Sequence, residues 1–472
     1  MPQQFAQVTG GSCRLTLYRE SAPGKVTDTS GVVLALMQEG FKRGSSKKQR
    51  TVISGKRGNG KPYAGMPQIS GSLDSPAYAP QLGHLLRALC GAPTTAAVTG
   101  KALDAAAVVQ LEAGFVGLPC AAHGFLQDAA ITVVGTTHYN GTYRVEEGTT
   151  ADMIAVAAPY VAEILAAGAR VVRGRAPFLS GAARDLGGGK VGLPTAGGVH
   201  ALNAGESVTI EGTTHYNGTH ALDSATTDGL LAITATYEAE TFDGSPVALP
   251  VFYAHTFALP KKQPTVCVEK YLDFDAGAST TPYHRYHFCK VNGIKFDLGG
   301  DNELKFSVDF TAGREVLSAT PLDASPDQLP SVPMEGIEGS IFVAGARRGD
   351  VEKASVSNSF GVEAKSAVGD RGQYSRMPEG DPDSKVTLSV FLEQDDLQAL
   401  VEASSTVPVM LAICAVTGDE LHVSYPESEL DSDGPAIDGK GGLMQDFTVL
   451  PFVDKGNSVL TFVLINRVAS YA

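Results

Sequence analysis

Apolar and polar residues alternate along most of this chain, and a period of two predicts strands rather than helices. In LKFSVDF (304–310), Leu304, Phe306, Val308 and Phe310 fall on one side of a strand. With CKVNGIKFDLGG (289–300) they predict a hairpin that turns at Gly299-Gly300-Asp301-Asn302. One segment breaks the alternation. In YAPQLGHLLRALCGAP (78–93), Leu82, Leu85, Leu86 and Leu89 recur at helical spacing, Ala79-Pro80 can open a helix, and Gly91 and Pro93 close it. SKVTLSVFLEQDDLQALVEASSTVP (384–408) predicts a strand and then a shorter helix carrying Leu397, Leu400 and Val401. LMQDFTVLPFVDKGNSVLTFVLINRV (443–468) predicts a closing hairpin with its turn at Asp454-Lys455-Gly456-Asn457.

An internal repeat organises the middle of the chain. VGLPCAAHGFLQDAAITVVGTTHYNGTYRV (116–145) recurs as VGLPTAGGVHALNAGESVTIEGTTHYNGTHAL (191–222), and GTTHYNG is unchanged at 135–141 and 212–218. Each copy reads as short strands with Asn-Gly as a turn signal. The Gly-rich stretch DLGGGK (185–190) reads as a joint between two small all-β modules. Outside them, strand, helix, strands and hairpin occur on both sides of a Pro-rich linker (Pro321, Pro326, Pro330, Pro333). The expected fold is therefore mainly β, with two related β-sandwich or barrel domains of one short helix each plus the two inserted modules. The expected boundaries are 1–93 with 251–318 for a split first domain, 94–184 and 185–250 for the modules, 319–335 for the linker and 336–472 for the second domain.

Length fits this plan, since 472 residues allow about three domains at roughly 150 residues each. Charge adds a constraint: 51 Asp and Glu oppose 37 Lys and Arg, which argues against a surface that grips nucleic-acid phosphates throughout. The charges are also segregated. No acidic residue occurs from 40 to 73, where Lys42, Arg43, Lys47, Lys48, Arg50, Lys56, Arg57 and Lys61 stand. From 350 to 438 there are 18 acidic and 5 basic residues, including Glu379, Asp381, Asp383, Asp395, Asp396, Glu427, Glu429, Asp431 and Asp433. Opposite blocks on one chain suggest copies that meet head to tail; the plainer alternative is two solvated faces that never meet.

Catalytic and ligand signatures are weak. SGKRGNGKP (54–62) matches a phosphate-binding loop through Gly55, Gly60 and Lys61, but Pro62 stands where a hydroxyl should hold Mg²⁺, and no helix pattern follows. His123, His138 and His215 lie in turns without Cys or carboxylate at ligand spacing, so no metal or cofactor is expected. Asp395-Asp396 opens a helix, where acids favour the dipole. The six cysteines are scattered singly and read as reduced thiols. The start MPQQFAQVTGG lacks a basic and apolar leader, and no run of 18 apolar residues predicts a membrane span.

The order of segments resembles the tail tube (major tail) proteins of long-tailed, siphovirus-like bacteriophages. ISGKRGNGKPYAGMPQISGSL (53–73) is similar to that family's Gly-rich basic loop, and 78–93 to its single helix. AHTF (254–257) is similar to the segment that follows the helix there, which marks 94–250 as an insertion. CKVNGIKFDLGGDNELKFSVDF (289–310) resembles its hairpin, and KASVSNSF (353–360) the strand opening the second half. The inserted modules resemble small β-modules appended to phage virion proteins, although GGVH (197–200) replaces the first copy's AAHG.

The resemblance implies a non-enzymatic virion protein, assembled in the host cytoplasm. Three copies would close a pseudo-hexameric ring, and rings would stack into a channel for DNA ejection. Its partners would be further copies of itself, the tail terminator, tape-measure and distal tail proteins, and DNA in transient, non-specific passage, with no membrane insertion. The modules would decorate the exterior. The basic loop would contact a neighbouring subunit, and the acidic residues named above would line the lumen or receive that loop. The alternatives are a tail-tip or host-attachment binding protein and, on residues 55–61, an NTPase.

Overall fold

The computed structural model describes residues 8–471 apart from 45–46, 51–59, 113, 198–199, 201, 276–278, 300–303, 331–333, 336–337, 371–372, 436–441, 455 and 457. The fold is mainly β, with two α-helices among the described residues. In chain order the first half of the scaffold contains β1 (Arg14–Arg19), β2 (Val32–Leu34), β3 (Gln38–Glu39), β4 (Lys42–Arg43), β5 (Lys47–Arg50), β6 (Gly60–Ala64), β7 (Ile69–Pro76), α1 (Ala79–Cys90) and β8 (Thr94–Val98). After the inserted segment come β9 (Phe252–Ala258), β10 (Val266–Tyr271), β11 (Tyr283–Leu298), β12 (Lys305–Thr311) and β13 (Arg314–Ser318). The second half contains β14 (Gly339–Val343), β15 (Ala346–Arg348), β16 (Val351–Ser359), β17 (Asp383–Phe391), α2 (Asp396–Glu402), β18 (Val407–Cys414), β19 (Glu420–Asp431), β20 (Met444–Pro451) and β21 (Thr461–Asn466).

The same antiparallel pairings occur in both halves. β1 pairs β2 and β10, as β14 pairs β15 and β18. β10 pairs β11 as β18 pairs β19, and β11 pairs β12 and β13 as β19 pairs β20 and β21. β12 pairs β7, whose other edge takes β3 and β4; β20 pairs β17, whose other edge takes β16. The long strands β11 and β19 each change partners along their length, which links the two layers of each sandwich. The halves are joined because β11 also pairs β16, and one cluster of buried side chains runs through both.

Local chemistry explains the main elements. Leu82, Leu85, Leu86 and Leu89 of α1 are all buried, and Gly91 closes the helix at φ +85° with its N–H donated to the Arg87 carbonyl. Burying each such leucine contributes about 1.5–3 kcal/mol. β12 buries Phe306, Val308 and Phe310 on one face as its alternation predicts. The segment 443–468 differs from its expected hairpin. β20 and β21 do not pair with each other but flank different portions of β19, so the hairpin equivalent to β11–β12 is β19–β20. The reason is the length of β19, whose twelve residues reach into both layers.

β9 likewise sits differently from its expected place in the first domain. It pairs β21 of the second half on one edge and β8 on the other. The inserted modules follow from there. The first buries Val116, Ile131, Val156 and Val171, and the second Val191, Ile210, Leu231 and Ile233. A small shared cluster of Val134, Val172, Val247 and Leu249 packs one module on the other. The stretch 185–190 is a hairpin inside the second module rather than a joint: Arg184–Gly187 pairs Lys190–Pro194 around Gly187, Gly188 and Gly189, all at positive φ. The second module already begins at Phe178–Ala182, which pairs Thr241–Pro250.

Candidate assembly surfaces

β4 places Lys42 and Arg43 at an exposed sheet edge. Lys47, Lys48 and Arg50 lie on β5 and Lys61 on β6, two strands that pair only with each other among the described residues. Every described side chain of this ribbon is exposed, on both faces, and Arg50 lies over the Tyr63 ring at 5.6 Å. A two-stranded ribbon has little stability alone in water. Lys56 and Arg57 lie outside the described residues, as does Gly55. Lys61 and Pro62 continue as strand into Tyr63 rather than opening a helix, so the strand-to-helix geometry that cradles phosphate is missing here.

The nine acidic residues separate into two groups. Glu379 turns inward, pairing with Lys290 and accepting the Gln263 N–H at 3.0 Å. Glu427 is buried and accepts the Asp454 N–H at 2.7 Å. Each carboxylate is thus already engaged with a backbone N–H of its own chain. Asp396 is committed to Arg348, while Asp381, Asp383, Asp395, Asp431 and Asp433 are exposed and Glu429 is half-buried. Asp383, Glu429 and Asp431 lie on strands of the continuous sheet; Asp433 follows β19 directly.

One face of that sheet forms a concavity of about 980 Å³ across β12, β11, β16 and β17. Ser307, Ser355, Ser357 and Thr387 line it. Two of the four lysines that line it have an aspartate across the strand: Lys295 lies 3.6 Å from Asp309, and Lys353 lies 3.6 Å from Asp297; Lys305 and Lys385 also line it.

The repeated TTHYNG segments are structural turns. In the first, the Asn140 side chain accepts the Thr136 N–H at 2.9 Å, and the Glu163 carboxylate accepts the N–H groups of Thr137 and His138 at 2.7 and 3.0 Å. In the second, Asn217 and Glu240 make the same bonds to Thr213, Thr214 and His215. His138 and His215 thus contribute backbone rather than imidazole. His123 and His200 also match: each Nδ1 accepts the N–H two residues on, from Phe125 at 3.0 Å and Leu202 at 3.3 Å. The change from AAHG to GGVH therefore keeps the histidine that closes the turn.

Two buried arginines dock the modules on the second half, which sequence spacing could not reveal. Arg173 of the first module pairs with Glu420 at the start of β19, and both are almost wholly buried. His422 Nε2 is 2.9 Å from the same carboxylate. Arg467, just past β21, reaches Glu206 of the second module at 2.8 Å and Asp419 at 3.6 Å. Gly174 and Gly418 meet backbone to backbone here. A Cβ on Gly418 would stand 2.4 Å from the Gly174 Cα, and its φ of +93° also favours glycine.

Among the described residues, two side-chain groups approach a metal-ligand arrangement: Glu20 with Cys267 and His287, and Cys414 with Glu420 and His422. In the first, Glu20 already accepts the N–H groups of Gly24 and Phe288 at 2.8 and 2.9 Å. In the second, the Arg173 guanidinium occupies the cation's place. Burial pushes the Cys414 thiol up to about 12 and Cys267 well above its ordinary value, opposite to the thiolate a metal requires.

The family model for phage tail tube proteins matches residues 10–450. The chain belongs to the phage tail tube protein family. A search of curated proteins finds no match. Membership makes this tail tube chain a structural component of the phage virion, one that assembles with copies of itself and with other tail proteins into a tube. No described helix is long and apolar enough to cross a membrane.

Proposed function

We propose that three copies close a pseudo-hexameric ring, that rings stack into the tail tube, and that DNA passes through the channel. The observation that carries this is the repeated pairing pattern in one continuous sheet. Two like halves per chain give six wall segments from three chains, a heterologous assembly that closes. Those halves are the duplicated tube domains, with β9 and β8 lending the second its edge cover. The concave Ser- and Thr-rich face lines the channel. Cross-strand aspartates offset two of its four lysines, so its hold on phosphates is weakened by partial compensation rather than by an acidic wall. The two modules stand outside the wall.

The basic ribbon β5–β6, with Lys56 and Arg57, docks on an exposed acidic surface of a neighbouring subunit, where Asp381, Asp383 and Asp395 are available. Reversing Lys47, Lys48, Lys56 and Arg57 to Glu should abolish polymerisation, read by negative-stain microscopy, while circular dichroism stays unchanged. Normal tubes from that variant would remove the ribbon from the mechanism. The tail terminator, tape-measure and distal tail proteins bind the ends and lumen of the same tube, which is assembled in the host cytoplasm.

A further inference from the structure

The junction between the two halves predicts the junction between two copies. Within the chain, the outer edge of β11 takes β16, with Gly293 opposite Ser359, Lys295 opposite Ser357 and Asp297 opposite Ser355. The repeated pairing pattern makes β16 the counterpart of β3–β4, since both lie on the free edge of the strand before the helix. It also makes β11 the counterpart of β19. Among the edges that lack a strand partner among the described residues are the two that this pattern would join: β4, and β19 beyond Ser428. Unpaired edges are templates for strand addition.

Core positions set the register. Leu73 stands opposite Val308, and Leu388 opposite Phe447. Taking these pairs as equivalent places Lys42, opposite Ser70, where Ser357 stands opposite Lys385. In the same frame Val291 opposite Phe310 corresponds to Leu430 opposite Val449. The bulge between Val291 and Gly293 then aligns Gly293 with Asp431 and Lys295 with Asp433. Lys295 faces Ser357 inside the chain, so the equivalent partner of Lys42 is Asp433.

We propose that the β4 edge of one copy adds antiparallel to the β19 edge of the next, with Lys42 across from Asp433 and Gly44 across from Asp431. This rests on the ring reading above and names its side-by-side contact, distinct from the ribbon. The charges agree with it: β4 is Lys-Arg, and the strand end it meets carries Glu429, Asp431 and Asp433, all but Glu429 exposed. Opposite charges on facing strands support a register, and like charges oppose one. The edge is also guarded before Lys42. The Glu39 carboxylate accepts the Phe41 N–H at 2.9 Å, and Lys270 donates to the Phe41 carbonyl at 2.7 Å. Strand addition therefore begins at Lys42 and does not spread back to β3.

The test is cross-linking in assembled protein. Residues directly opposite in an antiparallel pair have Cα atoms about 4.5–5.5 Å apart, within the range a disulfide spans. Full-length protein carrying both K42C and D433C should form, on mild oxidation, a covalent ladder that ends at three copies, while each single variant should not. A charge test stands beside it: K42E should lose ring formation at least tenfold in the concentration required, and D433K in the same chain should restore it. Wild-type rings in the microscope with neither ladder nor rescue would overturn this junction and leave the ring reading standing. Wild-type protein that forms no rings at any concentration would overturn both.

Discussion

The two halves share one pairing scheme yet treat the same edge differently. β21 has its outer edge covered by β9 and then β8, and the modules rest over it through Arg173 and Arg467. Its counterpart β13 has no such cover among the described residues, and its Val316 and Leu317 are exposed. The difference shows that an insertion can enter the chain in one half and do its packing in the other. The modules are held to the second half by buried ion pairs, so the stability of that half should depend on them.

The largest effect should come from that dependence. Arg173→Met removes the cation from the buried Glu420 carboxylate and leaves only His422 beside it, which should cost about 3–5 kcal/mol in chemical denaturation. Adding Glu420→Gln should recover most of the loss. Equal stability of Arg173→Met and wild type would break the claim that the second half leans on its modules. The comparison also yields a cleaner deletion than one spanning 94–250. Val98 stands opposite Phe252, so Asn-Gly in place of 99–251 can close β8 and β9 as a hairpin.

A second effect comes from one buried histidine in each half, since burial, with Arg173 adding to it, also pushes His422 of β19 down to about 4. His84 of α1 is held neutral by burial, with Arg19 and Arg87 adding to it, and its pKa is pushed down to about 4. The unfolded chain takes up this proton near pH 6.5 and the folded chain does not. Stability should therefore fall as pH drops from about 6.5 to 4, by up to about 3 kcal/mol from this group. His84→Gln should make that part of the profile shallower and leave the share due to His422, and an unchanged profile would assign the acid sensitivity elsewhere.

A smaller effect tests whether the modules are equivalent. Asn140→Ala and Asn217→Ala each remove the side chain that closes a TTHYNG turn. Each should cost about 1–2 kcal/mol, the price of leaving a buried donor unmet. Hydrogen exchange should show the loss confined to the affected module; spread into the second half from either site would mean the docking is looser than its buried ion pairs suggest.

These contrasts also mark what could be read in the residues. The α1 leucines and the alternation of β12 were legible because local periodicity decides burial there. The repeat was legible as an identical heptapeptide, and the duplicated scaffold as a recurring order of strand, helix and hairpin. The partner of β21 was not, because AHTF and the closing strand lie far apart and only the long β19 brings them together. Arg173 with Glu420 left no mark for the same reason. Glu379 and Glu427 looked like surface acids, since composition cannot show which carboxylate already holds backbone N–H groups.

The most direct measurement is an end-on image of assembled tubes at a resolution that separates wall from exterior. The account predicts a six-segment wall made by three chains, with three projections outside it, one pair of modules for each chain. A wall with six pairs of modules, or with modules filling the channel, would contradict it.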